Sequence, residues 1–129
     1  MSENAAHPLI LVVEDEPLVR MFGADVLEGA GFCVIEAANA DEALSVLAQR
    51  SDVAAVVTDV EMPGSLDGLD LAWRIKDRWP RIGVVLTSGR WSRRRGEIPN
   101  GGAFVPKPYA SSTLLSEVEA VIRHARRVG

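Results

Sequence analysis

Four short polar motifs each follow an apolar run, and their residue types fit a phosphoryl group held beside a divalent metal. Glu14-Asp15 follows Leu9-Ile10-Leu11-Val12-Val13, and Asp59 follows Val53-Ala54-Ala55-Val56-Val57-Thr58. Thr87-Ser88-Gly89 follows Ile82-Gly83-Val84-Val85-Leu86, and Lys107-Pro108 follows Ala103-Phe104-Val105. Carboxylates are the ligands that hard divalent cations take. A carboxylate is also a nucleophile toward phosphorus, and an ordinary aspartate, with a pKa of about 3.9, is ionised at neutral pH. A hydroxyl donates to a phosphoryl oxygen, and a lysine ammonium serves as its counter-charge. Any one of these motifs alone is weak. Asp59 read singly is a turn aspartate, and Lys107-Pro108 read singly is a surface turn.

These residues share a site only if the chain brings the ends of several strands together. Short continuous apolar runs are the pattern of buried parallel strands. In an open α/β sheet ligands bind beyond the carboxyl ends of the strands, where all four motifs fall. Strands are expected near 9–13, 32–36, 53–58, 82–87 and 102–105. Helices are expected near 16–29, 40–50, 67–79 and 111–126. Apolar stripes mark their buried faces: Leu18, Met21, Phe22, Val26 and Leu27 in the first; Ala43, Leu44, Val46 and Leu47 in the second. Leu69, Ala72, Trp73 and Ile75 mark the third, and Leu114, Leu115, Val118, Val121 and Ile122 the last. Asn39 with Glu42 three residues on has the form of a capping box. Asp15 ahead of Pro17 is placed to cap the first helix as well as to bind metal. Strand and helix alternation predicts a doubly wound α/β fold with a parallel sheet covered on both faces. The stretch 89–101, with Gly96, Pro99 and Gly101, reads as a loop with at most a short helix.

The bulk numbers agree with one ordinary domain. The chain has 129 residues, 47% of them hydrophobic, and a net charge of −4. That charge gives no general attraction to nucleic acid or to an anionic membrane. Arg93-Arg94-Arg95 beside Trp91 reads as a solvated loop, and Trp73 and Trp79 read as core and helix-end packing. No apolar run is long enough to span a bilayer, and the first seven residues do not resemble a secretory signal. Cys33 is the only cysteine, so no internal disulfide forms. A cytoplasmic location is the default expectation, with residues 1–7 as a tail.

Taken in order, the motifs resemble the receiver domain of two-component response regulators. The resemblance covers residues about 8–127. It rests on Ile10 to Glu16, Thr58-Asp59-Val60-Glu61-Met62-Pro63-Gly64, Asp67-Gly68, Thr87-Ser88-Gly89 and Phe104-Val105-Pro106-Lys107-Pro108. It implies a flavodoxin-like fold of five parallel strands and five helices. Asp59 is then the phosphoacceptor. Asp15, Asp59 and the main-chain carbonyl of Glu61 bind Mg²⁺, with Glu14 acting directly or through water. The switch hydroxyl falls on Ser88 when counted from Gly83; Thr87 is the other, less favoured candidate, since as its strand neighbour it faces the opposite way. Lys107 pairs with the phosphoryl group, and the family's Lys-Pro bond is typically cis. Phe104 matches an aromatic position that changes rotamer on activation. The phosphodonor is a histidine kinase or a histidine phosphotransfer protein, and the output is altered binding to a downstream protein that the sequence does not name. The protein catalyses its own modification but turns over no external substrate.

The chain departs from the family in three places. Glu14 stands where the family often has Asp. The loop Met62 to Gly68 is one residue longer than the common spacing. Ser88 and Lys107 are 19 positions apart (107 − 88), shorter than usual, so the fourth helix is expected to be shortened or irregular. Three other readings compete. A receiver-shaped binding module that works without phosphorylation lacks a reason for Asp15, Asp59, Ser88 and Lys107. A haloacid dehalogenase type phosphohydrolase needs a second Asp where Glu61 stands. A flavodoxin needs a phosphate-binding loop where Glu14-Asp15-Glu16 repels phosphate. The Met1 start and the ordinary tail favour a stand-alone protein over a fragment of a hybrid kinase.

Overall fold

The structure is a computed structural model and describes residues 7–90 and 98–128. Five strands run β1 (Leu9–Val13), β2 (Cys33–Ala37), β3 (Val53–Asp59), β4 (Gly83–Ser88) and β5 (Ala103–Pro106). Four helices lie between and after them: α1 (Pro17–Gly29), α2 (Ala40–Gln49), α3 (Gly68–Arg78) and α4 (Ser111–Val128). All strand pairs are parallel, in the order β2-β1-β3-β4-β5. Trp91 and Arg93-Arg94-Arg95, in the expected irregular connection, lie outside the described residues. Among the described residues there is no helix between β4 and β5. None of the described helices is long and apolar enough to cross a membrane.

Strand side chains alternate between the two faces of the sheet. Leu11, Val13, Val56, Val84 and Leu86 therefore pack on one face with α2 and α3, through Ala43, Leu47, Leu71, Ala72 and Ile75. Ile10, Val12, Val57, Val85 and Val105 pack on the other with α1 and α4, through Leu27, Leu114, Val118 and Val121. Two stripes differ from the sequence expectation. On α1 the buried residues are Gly23, Ala24 and Leu27, while Leu18 is 78% exposed and Met21 and Phe22 are about half exposed. Small residues let α1 lie close to the sheet, so the apolar stripe runs past the core into solvent, where Phe22 meets Tyr109 at a ring distance of 6.0 Å. On α3 Ala72 and Ile75 are buried as expected, but Leu71 joins them in the core and Trp73 is half exposed. Trp79 packs at the helix end as expected.

The helix starts follow local chemistry. Asn39 caps α2 by accepting from the Glu42 amide at 2.8 Å, and Glu42 reaches back to the Ala38 amide. Asp67 and Asp70 form a full capping box at α3. The cap expected from Asp15 does not form. Glu16 is the N-cap residue of α1 and makes no side-chain cap bond. Instead Glu14 Oε2 accepts from the Glu16 amide at 3.2 Å, which leaves Asp15 turned to other uses.

Candidate phosphoryl and metal site

The sheet order puts β1 and β4 on either side of β3, so the polar strand ends converge around Asp59, the last residue of β3. Main-chain bonds extend the sheet past the strand ends. The Glu14 amide donates to the Ala37 carbonyl at 3.0 Å, Val60 to Thr87 at 2.8 Å, and Lys107 to Ser88 at 2.8 Å. These bonds fix where each side chain leaves the backbone. Arg20 adds a clamp, donating from Nη1 to the Glu14 carbonyl at 2.7 Å and from Nε to Glu36 at 3.1 Å. The α3 helix starts hard against the site. The Gly68 amide donates to the Val60 carbonyl at 2.9 Å, and a Cβ at Gly68 would stand 1.8 Å from the Asp59 carbonyl oxygen.

Lys107, whose peptide bond to Pro108 is cis, reaches the centre of the cluster. Its Nζ donates to Glu14 Oε1 at 2.8 Å and lies 3.2 Å from Asp59 Oδ1. Glu14 is 4% exposed and Asp59 6%. Asp59 Oδ1 is buried, and among the described residues the Lys107 ammonium is the close partner it has. Burial first, and then the negative charge of Glu14, push the Asp59 carboxyl up to about 6, with Lys107 pulling the other way. Burial disfavours the Lys107 ammonium, but the Glu14 and Asp59 carboxylates outweigh it and hold its pKa above the ordinary value. One acceptor at the centre is thus under-coordinated and carries an unfavourable charge, which a cation would relieve.

Glu14, Asp15 and Asp59 each bring a carboxylate oxygen within 4.8 Å of the others. Among the described residues, the open cleft above them is lined by six carboxylates (Glu14, Asp15, Glu16, Asp59, Glu61 and Asp67) against the two cations Lys107 and Arg90. This donor set, Asp59 included, is all oxygen, as Mg²⁺ prefers. The residues present fit the ion.

Ser88 and Thr87, the two hydroxyl candidates, are both buried but differ in setting. Thr87 lies within the sheet, in register with Asp59 on one side and Val105 on the other. Ser88 ends β4, and its Oγ donates to the Glu61 carboxylate, with oxygens at 2.6 and 2.8 Å. Phe104 is partly buried, pairs with Leu86, and packs toward the α2 and α3 core. Three features went unseen in the sequence. Arg90 lines the cleft one residue after Gly89, Asp67 both caps α3 and lines the cleft, and the Glu61 side chain engages Ser88. A basic residue just after Thr87-Ser88-Gly89 was the available signal for Arg90. The Asp67–Asp70 spacing was the signal for the cap.

Comparison with known proteins agrees with this geometry. Residues 10–119 match the family model described as the response regulator receiver domain. The chain is 40% identical over 110 residues to a putative NtrX-like response regulator of Rickettsia bellii, covering 82% of the chain and 23% of that protein. It is 34% identical over 118 residues to the sensor kinase CckA of Brucella abortus, covering 88% of the chain and 12% of the kinase. The chain thus spans less than a quarter of the length of either relative. Among solved structures, the response regulator TrrA of Thermotoga maritima in complex with Mg²⁺-BeF superposes with a TM-score of 0.77 at 27% identity, covering 88% of the chain and 98% of TrrA. With a family model matching residues 10–119, most of its length, the chain belongs to the response regulator receiver domains of two-component systems.

Proposed function

We propose that Asp59 accepts a phosphoryl group from a phosphohistidine of a histidine kinase or histidine phosphotransfer protein, and that the modification switches binding to a downstream protein. The observation that carries this reading is the buried Asp59 carboxylate at the end of β3, with Oδ1 3.2 Å from Lys107 Nζ and an oxygen within 4.8 Å of those of Glu14 and Asp15. Its strand-end position holds the carboxylate in one direction. An Asp59 oxygen attacks phosphorus, the P–N bond breaks, and its electron pair stays on the imidazole nitrogen of the donor. Asp15 and Asp59, with the Glu61 main-chain carbonyl and Glu14 nearby, would hold Mg²⁺. The ion when bound neutralises charge on the phosphoryl oxygens. Six carboxylates around the cleft repel a bare phosphate, so the reaction requires that neutralisation. The Thermotoga relative was captured with Mg²⁺-BeF, which agrees with this assignment.

Lys107 already lies within ion-pair distance of Asp59 and remains as the counter-charge to the new group. The acyl phosphate carries about −1.5 to −2 of charge and fresh acceptor oxygens. Ser88, rather than the sheet-bound Thr87, is the hydroxyl we assign to meet them. Rearrangement there reaches Phe104 through the neighbouring β4 and β5 backbones. Hydrolysis of the acyl phosphate resets the protein, which acts on no external substrate. The test is intact mass after acetyl phosphate treatment with and without Mg²⁺. A Mg²⁺-dependent gain of one phosphoryl group that disappears in Asp59→Asn supports the reading. A folded protein that never gains it is a receiver-shaped binding module.

A further inference from the structure

Glu61 stands two residues beyond Asp59, and its carboxylate is engaged where the phosphoryl group needs a free donor. Both Glu61 oxygens lie within hydrogen-bond reach of Ser88 Oγ, at 2.6 and 2.8 Å. The same Oγ accepts from the Arg90 amide at 3.1 Å. A carboxylate only accepts, so Ser88 must be the donor in this contact, and a hydroxyl has a single proton to give. The distances are those of a charge-assisted bond, stronger than one between neutral groups. Ser88 cannot donate that proton to Glu61 and to a phosphoryl oxygen on Asp59 at once.

We infer that the Glu61 side chain is an internal competitor for the switch hydroxyl, a latch that holds Ser88 until modification of Asp59 displaces it. This deepens the phosphoacceptor reading and rests on it. The latch reaches the backbone as well. Because the Arg90 amide is tied to the same Oγ, moving Ser88 off Glu61 also pulls on the first residues of the β4–β5 connection. Glu61 is a positioning residue here: it acts through Ser88. Its main-chain carbonyl, the assigned metal ligand, is untouched by side-chain substitution.

The test measures beryllofluoride binding by titration calorimetry at saturating Mg²⁺, in a double-mutant cycle of Glu61→Ala and Ser88→Ala. The latch predicts that Glu61→Ala binds roughly tenfold tighter than wild type, equal to about 1.4 kcal/mol. It also predicts that the gain vanishes when Ser88 is already alanine. Glu61→Gln, which keeps the shape and drops the charge, shows part of the gain. Equal affinities for Glu61→Ala and wild type overturn the latch. So does a gain of the same size in the Ser88→Ala background, because general charge repulsion would not depend on that hydroxyl. In either case the receiver reading stands, provided wild type binds beryllofluoride with Mg²⁺ and Asp59→Asn does not. Wild type that binds none under these conditions refutes the phosphoacceptor reading, and the latch with it.

Discussion

Asp59→Asn should make the metal-free protein more stable at neutral and alkaline pH. The Asp59 carboxyl is pushed from an ordinary 3.8 up to about 6 in the folded protein, chiefly by burial and by Glu14. Between those two values the folded chain binds more protons than the unfolded chain. Stability therefore falls as pH rises through that window, and the whole cost is present above about pH 6. About two pKa units correspond to roughly 3 kcal/mol. The attraction of Lys107, 3.2 Å from Asp59, is already contained in that net shift. The expected stabilisation is therefore up to about 3 kcal/mol, or a melting temperature higher by about 10 °C. The assay is urea unfolding of both proteins in EDTA at pH 8 and pH 4.5. The gap should be largest at pH 8 and should shrink at pH 4.5, where the wild-type carboxyl is protonated in the fold. A variant no more stable than wild type at pH 8, or a gap independent of pH, would falsify the claim that Asp59 is held charged at a cost. Adding Mg²⁺ should favour the wild type, since the ion binds the folded state and Asp59 is one of its assigned ligands.

Lys107→Ala should destabilise the metal-free protein by about 1–2 kcal/mol, because Glu14 and Asp59 lose the cation between them; urea unfolding in EDTA would show it. Gly68→Ala should cost about 2 kcal/mol or more, since the added Cβ meets the Asp59 carbonyl and Val60 backbone rather than yielding side chains. Its Mg²⁺-dependent phosphorylation should fall as well, measured by intact mass, as α3 is forced away from the strand end. Asp67→Ala should lower the unfolding free energy by about 1 kcal/mol by removing the α3 cap, and an unchanged denaturation midpoint would show the capping box to be idle.

The strands and the acidic pair Glu14-Asp15 at the end of the first were legible because each depends on local pattern. Runs of Val, Leu and Ile bounded by polar residues mark buried parallel strands whatever their neighbours are. Helix faces were less legible. Leu18, Met21 and Phe22 have the spacing of a buried stripe, yet Gly23 and Ala24 face the sheet, because close approach of α1 rewards small residues more than large ones. Periodicity counts hydrophobicity and carries no information on how near the helix comes. On α3, Leu71 is buried and Trp73 half exposed, a choice of face that the stripe alone did not fix. The cap expected at Asp15 did not form because the helix begins one residue later, with Glu16 at the N-cap position.

Residue type and order along the chain determined that four chemically matched strand ends exist, and that the chain would wind them into one parallel sheet. Side-chain period and the short connections leave few other topologies. What the folded arrangement alone decided is which of these groups touch. Lys107 and Glu14 are 93 positions apart yet bonded at 2.8 Å, and Glu61 holds Ser88 from 27 positions away. No local pattern encodes such pairings, because they depend on the order β2-β1-β3-β4-β5 and on bonds between strand ends. The raised Asp59 pKa belongs to the same class. Sequence marks the residue as an aspartate, while burial and the nearness of Glu14 are properties of packing.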